Sequence, residues 1–238
     1  MKKVLSLIIA ILLTASMSIF AFAKPTPFIT VPLTDEEQAT FVENVPVKKI
    51  DSIDWRNSIC SFDVNEQEMI LLLFCRSSQY TICVYNSDFD FQYGFSFDSY
   101  GSVACEWSDN DIMVYFVRSE IYAKLEQNGQ WSEVNQLQNS FENNSLTTDL
   151  LYNRTEVTVE STTYKIQNDM GILNFFQSDF SQLVKIDEKQ NETILYDINT
   201  AQTIKTIVIL LLVTGFVFIS LYKTLTLLLK RNQKVNPK

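Results

Sequence analysis

The stretch that decides the fold covers residues 58–137, where one four-strand pattern is written twice. The first copy reads ICSFDV (59–64), MILLLFC (69–75), YTICVYN (80–86) and FQYGFSF (91–97). The second reads VACEW (103–107), DIMVYFV (111–117), EIYAKLE (120–126) and WSEVNQL (131–137). In each copy the second segment is a largely continuous apolar run, as expected of a strand covered on both faces. The third segment alternates: Ile121, Ala123 and Leu125 point one way, Lys124 and Glu126 the other.

Residues 69–75 match 112–118 at an offset of 43, while Cys83 and Tyr85 match Ala123 and Leu125 at 40. A third, weaker copy follows, in which ILNFF (172–176) matches 112–116 at an offset of 60 and LVKID (183–187) matches 122–126 at 61. Between third and fourth strands stand residues 86–90 (NSDFD), 127–130 (QNGQ) and 188–191 (EKQN). Asn, Asp and Gly tolerate the left-handed backbone that tight hairpins demand. A period near 40 with four short strands per unit is a blade signature.

The pattern of apolar strand, Asn/Asp turn and aromatic-led strand (86–95, 128–131) resembles the blades of the broad β-propeller class over residues 53–198. It departs from closed members in having about three units rather than the usual four to eight, and in lacking WD and kelch signatures. The resemblance implies an all-β domain of repeated four-stranded antiparallel units, as a partial or open propeller. A domain completed by association, or a β-sandwich, is the alternative. No ligand or activity transfers from so general a likeness.

Both ends read as membrane segments. Lys2 and Lys3 precede apolar runs at 4–13 and 17–22, and Ala21-Phe22-Ala23 is an A-x-A site, so residues 1–23 are expected to be a signal peptide cut between Ala23 and Lys24. An uncleaved signal anchor is the alternative, and either exports the chain. Residues 206–222 (TIVILLLVTGFVFISLY) are uncharged, and the transmembrane helix is expected over 204–229; roughly 20 residues cross a hydrocarbon core. Lys205 and Lys223 can snorkel to the two interfaces. Lys230 and Arg231 open a basic tail at 230–238, and no acidic residue follows Asp197. By the positive-inside rule the tail is cytoplasmic, giving a single-pass, type I protein of the cell membrane. Such a tail is too short for a signalling domain of its own.

All 28 acidic residues lie between Asp35 and Asp197, against eleven basic ones from Lys24 to Lys189, a net charge of −17. Such a surface repels nucleic acid and anionic lipid. Apolar residues make up 46% of the chain and charged ones 20%, which suits a packed domain at 51–200. Residues 24–50 hold Pro25, Pro27, Pro32 and Pro46 and read as a tether. Within it Thr34 and Glu37 form a capping box that starts a short helix running to about Asn44.

The chain has no histidine, which removes the commonest general base, the imidazole metal ligand and every Ser-His or Cys-His pair. Cys60, Cys75, Cys83 and Cys105 fall in the exported portion, where disulfides are permitted, and allow three pairings. A tight turn over 76–79 would put Cys75 and Cys83 on opposite sheet faces. Asn86, Asp88 and Asp90 set oxygens at alternate positions as a calcium loop would, though no acid completes the EF-hand spacing; turn formation also explains them. Glu106, Asp109, Asp111 and Glu120 could supply a carboxylate pair. Tyr80, Tyr85, Tyr93, Tyr100, Trp107, Tyr115, Tyr122 and Trp131 could form an aromatic binding face or the strand core. Asn143, Asn153 and Asn191 head glycosylation sequons.

These features lead to a membrane-anchored, extracytoplasmic binding or assembly module, without catalysis or cofactor, whose partners are the bilayer and another protein or a second copy. A sensor or regulatory subunit that pairs through its transmembrane helix is the rival, and a carboxylate enzyme the third reading.

Overall fold

The computed structural model describes residues 28–52, 57–108, 110–177 and 179–235. The signal segment and its Ala23/Lys24 cleavage site, and Asp109, lie outside them. The chain opens with β1 (Thr30–Pro32), α1 (Asp35–Asn44) and β2 (Lys48–Ile50). Four strands follow as a meander, β3 (Ser58–Val64), β4 (Ile70–Arg76), β5 (Gln79–Tyr85) and β6 (Phe91–Asp98). A second meander is β7 (Val103–Ser108), β8 (Asp111–Phe116), β9 (Ile121–Leu125) and β10 (Trp131–Leu137). All eight strands fall where the two sequence copies put them.

Helix α2 (Phe141–Thr148) and a π-turn (Asp149–Asn153) lead to the third meander. It comprises β11 (Glu156–Val159), β12 (Thr162–Gln167), β13 (Gln182–Ile186) and β14 (Glu192–Asp197). Residues 172–176, expected as its second strand, instead belong to a 3₁₀ helix, Gly171–Phe176. The second strand is β12, in register with β13 from Thr163↔Ile186 to Gln167↔Gln182. The connection between these strands spans 14 residues (168–181), against four (117–120) in the second unit. An offset anchored on the third strand therefore lands inside the loop.

Every strand pairing is antiparallel, and the three sheets stay open rather than closing into a propeller. Sheet order β2-β6-β5-β4-β3 is sandwiched between the other two. On one face Leu71, Leu73, Ile82 and Phe95 pack against Val114, Phe116 and Leu125. On the other, Leu72, Phe74, Cys83 and Tyr85 meet Tyr164, Leu183 and Tyr196. This double cover is why β4 reads as an unbroken apolar run. Each side chain so buried contributes about 1.5–3 kcal/mol. The outer face of the β7–β10 sheet is closed by Leu150 of the π-turn and by Phe28, whose ring lies tilted with its centroid 4.2 Å from that of Tyr115.

The proline-rich segment does more than tether. β1 adds to the outer edge of β10 and β2 to that of β6, covering both edges. Between them α1 carries the expected capping box at Thr34 and Glu37. Its Phe41 docks edge-on against Phe116 and Trp131, whose indole donates to Val45 O at 2.7 Å.

One hairpin turn recurs four times, closing residues 65–69, 86–90, 126–130 and 187–191 with paired backbone hydrogen bonds. Its fourth residue takes positive φ each time: Glu68 (55°), Phe89 (66°), Gly129 (85°) and Gln190 (63°). Gly129 has a second constraint, because a Cβ there would meet the Phe95 ring at 3.0 Å. Gly129→Ala is expected to cost about 1–2 kcal/mol, read as a lower thermal midpoint of the full chain. An unchanged midpoint would mean that the turn relaxes into another type.

β14 passes through Ile198 into α3 (Asn199–Val235), whose backbone includes Lys205, Lys223, Lys230 and Arg231. Over Asn199–Thr224 it is long and apolar enough to cross a membrane, its most apolar 18-residue stretch reaching a mean hydropathy of 2.5.

Candidate functional site beside the apolar helix

The start of α3 is fastened to the third sheet by side-chain amides. Asp197 Oδ1 accepts the Asn199 N–H at 2.7 Å. The Asn199 side chain accepts from Asp169 N at 3.2 Å and donates to Asp169 O at 2.9 Å. Ser181 Oγ also donates to it. One turn on, Gln202 Nε2 donates to Gln177 Oε1 at 2.6 Å, and Gln177 Nε2 to Thr206 Oγ1. Gln202 and Thr206 are both buried by this contact. Buried polar groups need such partners, so the sequence places amides on both sides of the joint.

Beside the joint opens a pocket of ≈ 490 Å³ lined by Ser58, Cys75, Arg76, Tyr80, Asp179 and Lys205. β3, the β4–β5 turn, the 168–181 connection and α3 each contribute to it. Tyr80 donates to Gly101 O at 2.6 Å, and burial pushes its phenol up to about 12. Behind Cys75 the Cys60 thiol donates to Leu73 O at 3.3 Å. Burial, followed by contact with the Cys75 thiol, pushes Cys60 well above the ordinary thiol range. The pocket thus offers two cations, a carboxylate and a protonated phenol, which suits binding of a polar group.

All four cysteines are free thiols. Cys75 packs with the core shared by the β3–β6 and β7–β10 sheets, and Cys83 with the core on the opposite face. The two therefore face away from each other, as a two-residue β4–β5 turn requires.

A second polar cluster sits between β3 and β7, each the last strand of its sheet. Arg154, just past the π-turn, reaches Glu106 Oε2 at 3.2 Å and Asp63 Oδ2 at 3.6 Å. Tyr115 donates to Glu106 Oε1 at 3.0 Å, and Trp107 N to Asp63 Oδ2 at 2.8 Å. Desolvation raises both carboxyls above their ordinary range, against the opposing pull of Arg154. The sequence singled out Glu106 but not Asp63 or Arg154.

The calcium candidates close a turn: Asn86 Oδ1 accepts from the Asp88 and Asp90 amides at 3.1 and 2.7 Å, and Asn86 Nδ2 donates to Asp90. Among the described residues, no group of three or more Cys, Asp or Glu is gathered to hold a metal ion. Asp111 pairs with Lys124 at 2.8 Å, while Glu120 occupies a positive-φ turn position. Tyr80, Tyr85, Trp107, Tyr115 and Trp131 are core, and Tyr93 and Tyr122 are half-buried. Only Tyr100 of the candidate aromatic face is freely exposed, at 81%.

No family model, curated protein or solved structure matches the chain. Among the described residues, fold and site together define a mostly β structure of three open antiparallel sheets, fastened to one apolar helix of membrane-spanning length.

Proposed function

We propose that this chain is a membrane-anchored extracytoplasmic module that binds or assembles with another protein, its three meanders acting as blades of a partial propeller. Helix α3 spans the bilayer, with Lys223, Lys230 and Arg231 on the cytoplasmic side by the positive-inside rule. The observation that carries the reading is the amide joint at Asn199, Gln202 and Thr206, which holds the domain in one pose on the helix. A fixed pose suits presentation of a surface to a neighbour in the same membrane. Binding rather than turnover is supported by the absence of histidine and by buried carboxyls committed to Arg154. Ile194 on β14, 55% exposed, marks the uncovered surface of the third sheet.

A photo-crosslinking residue at position 194 of the full chain, in membranes of its native host, tests this. A discrete heterologous adduct is expected, absent when the probe replaces the buried Leu150. Adducts to lipid or to a second copy alone overturn it. The same joint also favours a second reading, a regulatory subunit whose domain and span move together. Adducts from Leu212 and Phe216, exposed on α3, to a partner's span would select that reading.

A further inference from the structure

The 3₁₀ helix Gly171–Phe176, which displaced the expected strand, exposes its apolar side chains to an unusual degree. Ile172 is 90% exposed, Phe175 89% and Phe176 55%. Outside α3, only Tyr100 and Phe141 among the described large apolar residues are also more than four-fifths exposed, and they lie on separate elements. Residues three apart eclipse in a 3₁₀ helix, so Ile172 and Phe175 share one face. The two Phe rings add an edge-on contact at 5.5 Å.

This turn is held firmly. Asn174 Oδ1 accepts Met170 N at 2.9 Å, and Asn174 Nδ2 donates to Asn168 O at 3.1 Å. Asn168 in turn ties the loop to Ser181 N and Asp179 O. Such a scaffold keeps the side chains projecting instead of letting them fold back onto the core.

Its position supplies the partner. Gln177, directly after the turn, hydrogen-bonds Thr206, the first residue of the uncharged run 206–222, and the exposed Lys205 precedes it. At 1.5 Å per residue that run covers about 26 Å, close to a hydrocarbon core of about 30 Å. Thr206 therefore lies at the membrane boundary if α3 spans, and the turn lies beside it. Aromatic and aliphatic side chains at that depth act as interfacial anchors.

We propose that Ile172, Phe175 and Phe176 form a wedge that enters the domain-facing leaflet of the bilayer crossed by α3, with lipid as its partner. The proposal rests on the reading of α3 as a span. Its surface continues the apolar surface of the helix, and together they fix the tilt of the domain on the membrane.

The test uses the full chain reconstituted in phosphatidylcholine vesicles whose acyl chains carry bromine either near the headgroup or near the chain end. Phe175→Trp reports the wedge and Phe216→Trp the span, each read as emission above the parent chain. Phe175→Trp is expected to blue-shift and to lose emission to the shallow bromines, and Phe216→Trp to the deep ones. Quenching of the Phe175→Trp indole by aqueous acrylamide but not by bromolipid overturns the wedge, while the Phe216→Trp indole still reports the span. Protection of the Phe175→Trp indole from both quenchers means that a protein surface covers it, which also overturns the wedge. If the Phe216→Trp indole escapes the bromines as well, the spanning reading itself fails.

Discussion

Arg154→Met is expected to destabilise the domain by about 3 kcal/mol at neutral pH, because it leaves two carboxylates between β3 and β7 without their cation. The lower end of the usual range for breaking a buried pair applies, since the Arg154 side chain keeps 21% of its exposure. For a chain of this size the thermal midpoint should fall by roughly 6–12 °C. The sign of the pH dependence follows from Asp63 and Glu106, whose folded pKa values desolvation raises above the ordinary range. Between the ordinary and the raised values the folded state holds more protons than the unfolded one, so stability falls as pH rises through that window. Removing Arg154 withdraws the cation that lowers both values and extends the window upward. The gap between Arg154→Met and the parent should therefore narrow as the pH is taken down towards about 4. Adding Glu106→Gln and Asp63→Asn should restore most of the loss, because the new amide oxygen at position 63 can still accept from Trp107 N. Melting of the full chain in nanodiscs across pH checks this, and a gap independent of pH would mean that Arg154 acts by packing alone.

The eight strands of the first two meanders were legible because burial on one or two faces leaves alternation or a continuous apolar run in the sequence. β4 at Ile70–Arg76 and β9 at Ile121–Leu125 are the clearest cases. The 3₁₀ helix at Gly171–Phe176 misled for a physical reason. Its apolar residues match a core strand by type, yet they face outward, and composition alone does not distinguish a buried strand from an exposed apolar turn. β1 and β2, three residues each, are too short to carry a period and sit amid prolines. They exist because the edges of β10 and β6 offer unpaired backbone.

Little of the site could be read in advance. Asn168, Asn174, Gln177, Asn199 and Gln202 have no periodic signature, and the 168–181 connection and α3 become neighbours only through the β13–β14 hairpin. The available signal was compositional: eight Asn and Gln side chains fall within residues 168–202, directly ahead of an apolar run.

Oxidation of the full chain is expected to join Cys60 to Cys75, a pairing that strand alternation conceals. Counting by twos from Phe62 and Val64 would turn Cys60 to the face of Cys83. However, β3 bulges between Ile59↔Phe74 and Ser61↔Leu73, and the extra residue is Cys60. The bulge places Cys60 in the core of Leu73 and Cys75, with the Cys75 thiol in contact. Cys75 lines the pocket, so oxidised glutathione reaches it first. The Cys75 thiolate attacks that disulfide, releasing one reduced glutathione and leaving a mixed disulfide. The Cys60 thiolate attacks the Cys75 sulfur of the mixed disulfide and displaces the second glutathione, the two cysteine protons passing through solvent to the two departing glutathione thiolates. Because burial holds the Cys60 thiol well up, the second step should accelerate as pH rises above neutral. Cys60→Ser should trap the mixed disulfide, Cys75→Ala should abolish the reaction, and Cys105→Ala should leave it intact. Closing a loop of about 15 residues should raise stability by about 3 kcal/mol where the bulge accommodates the bond. Peptide mapping under non-reducing conditions reads the pairing directly. A bond to Cys105 instead would mean that the bulge turns Cys60 further towards β7 than its contact with Cys75 indicates.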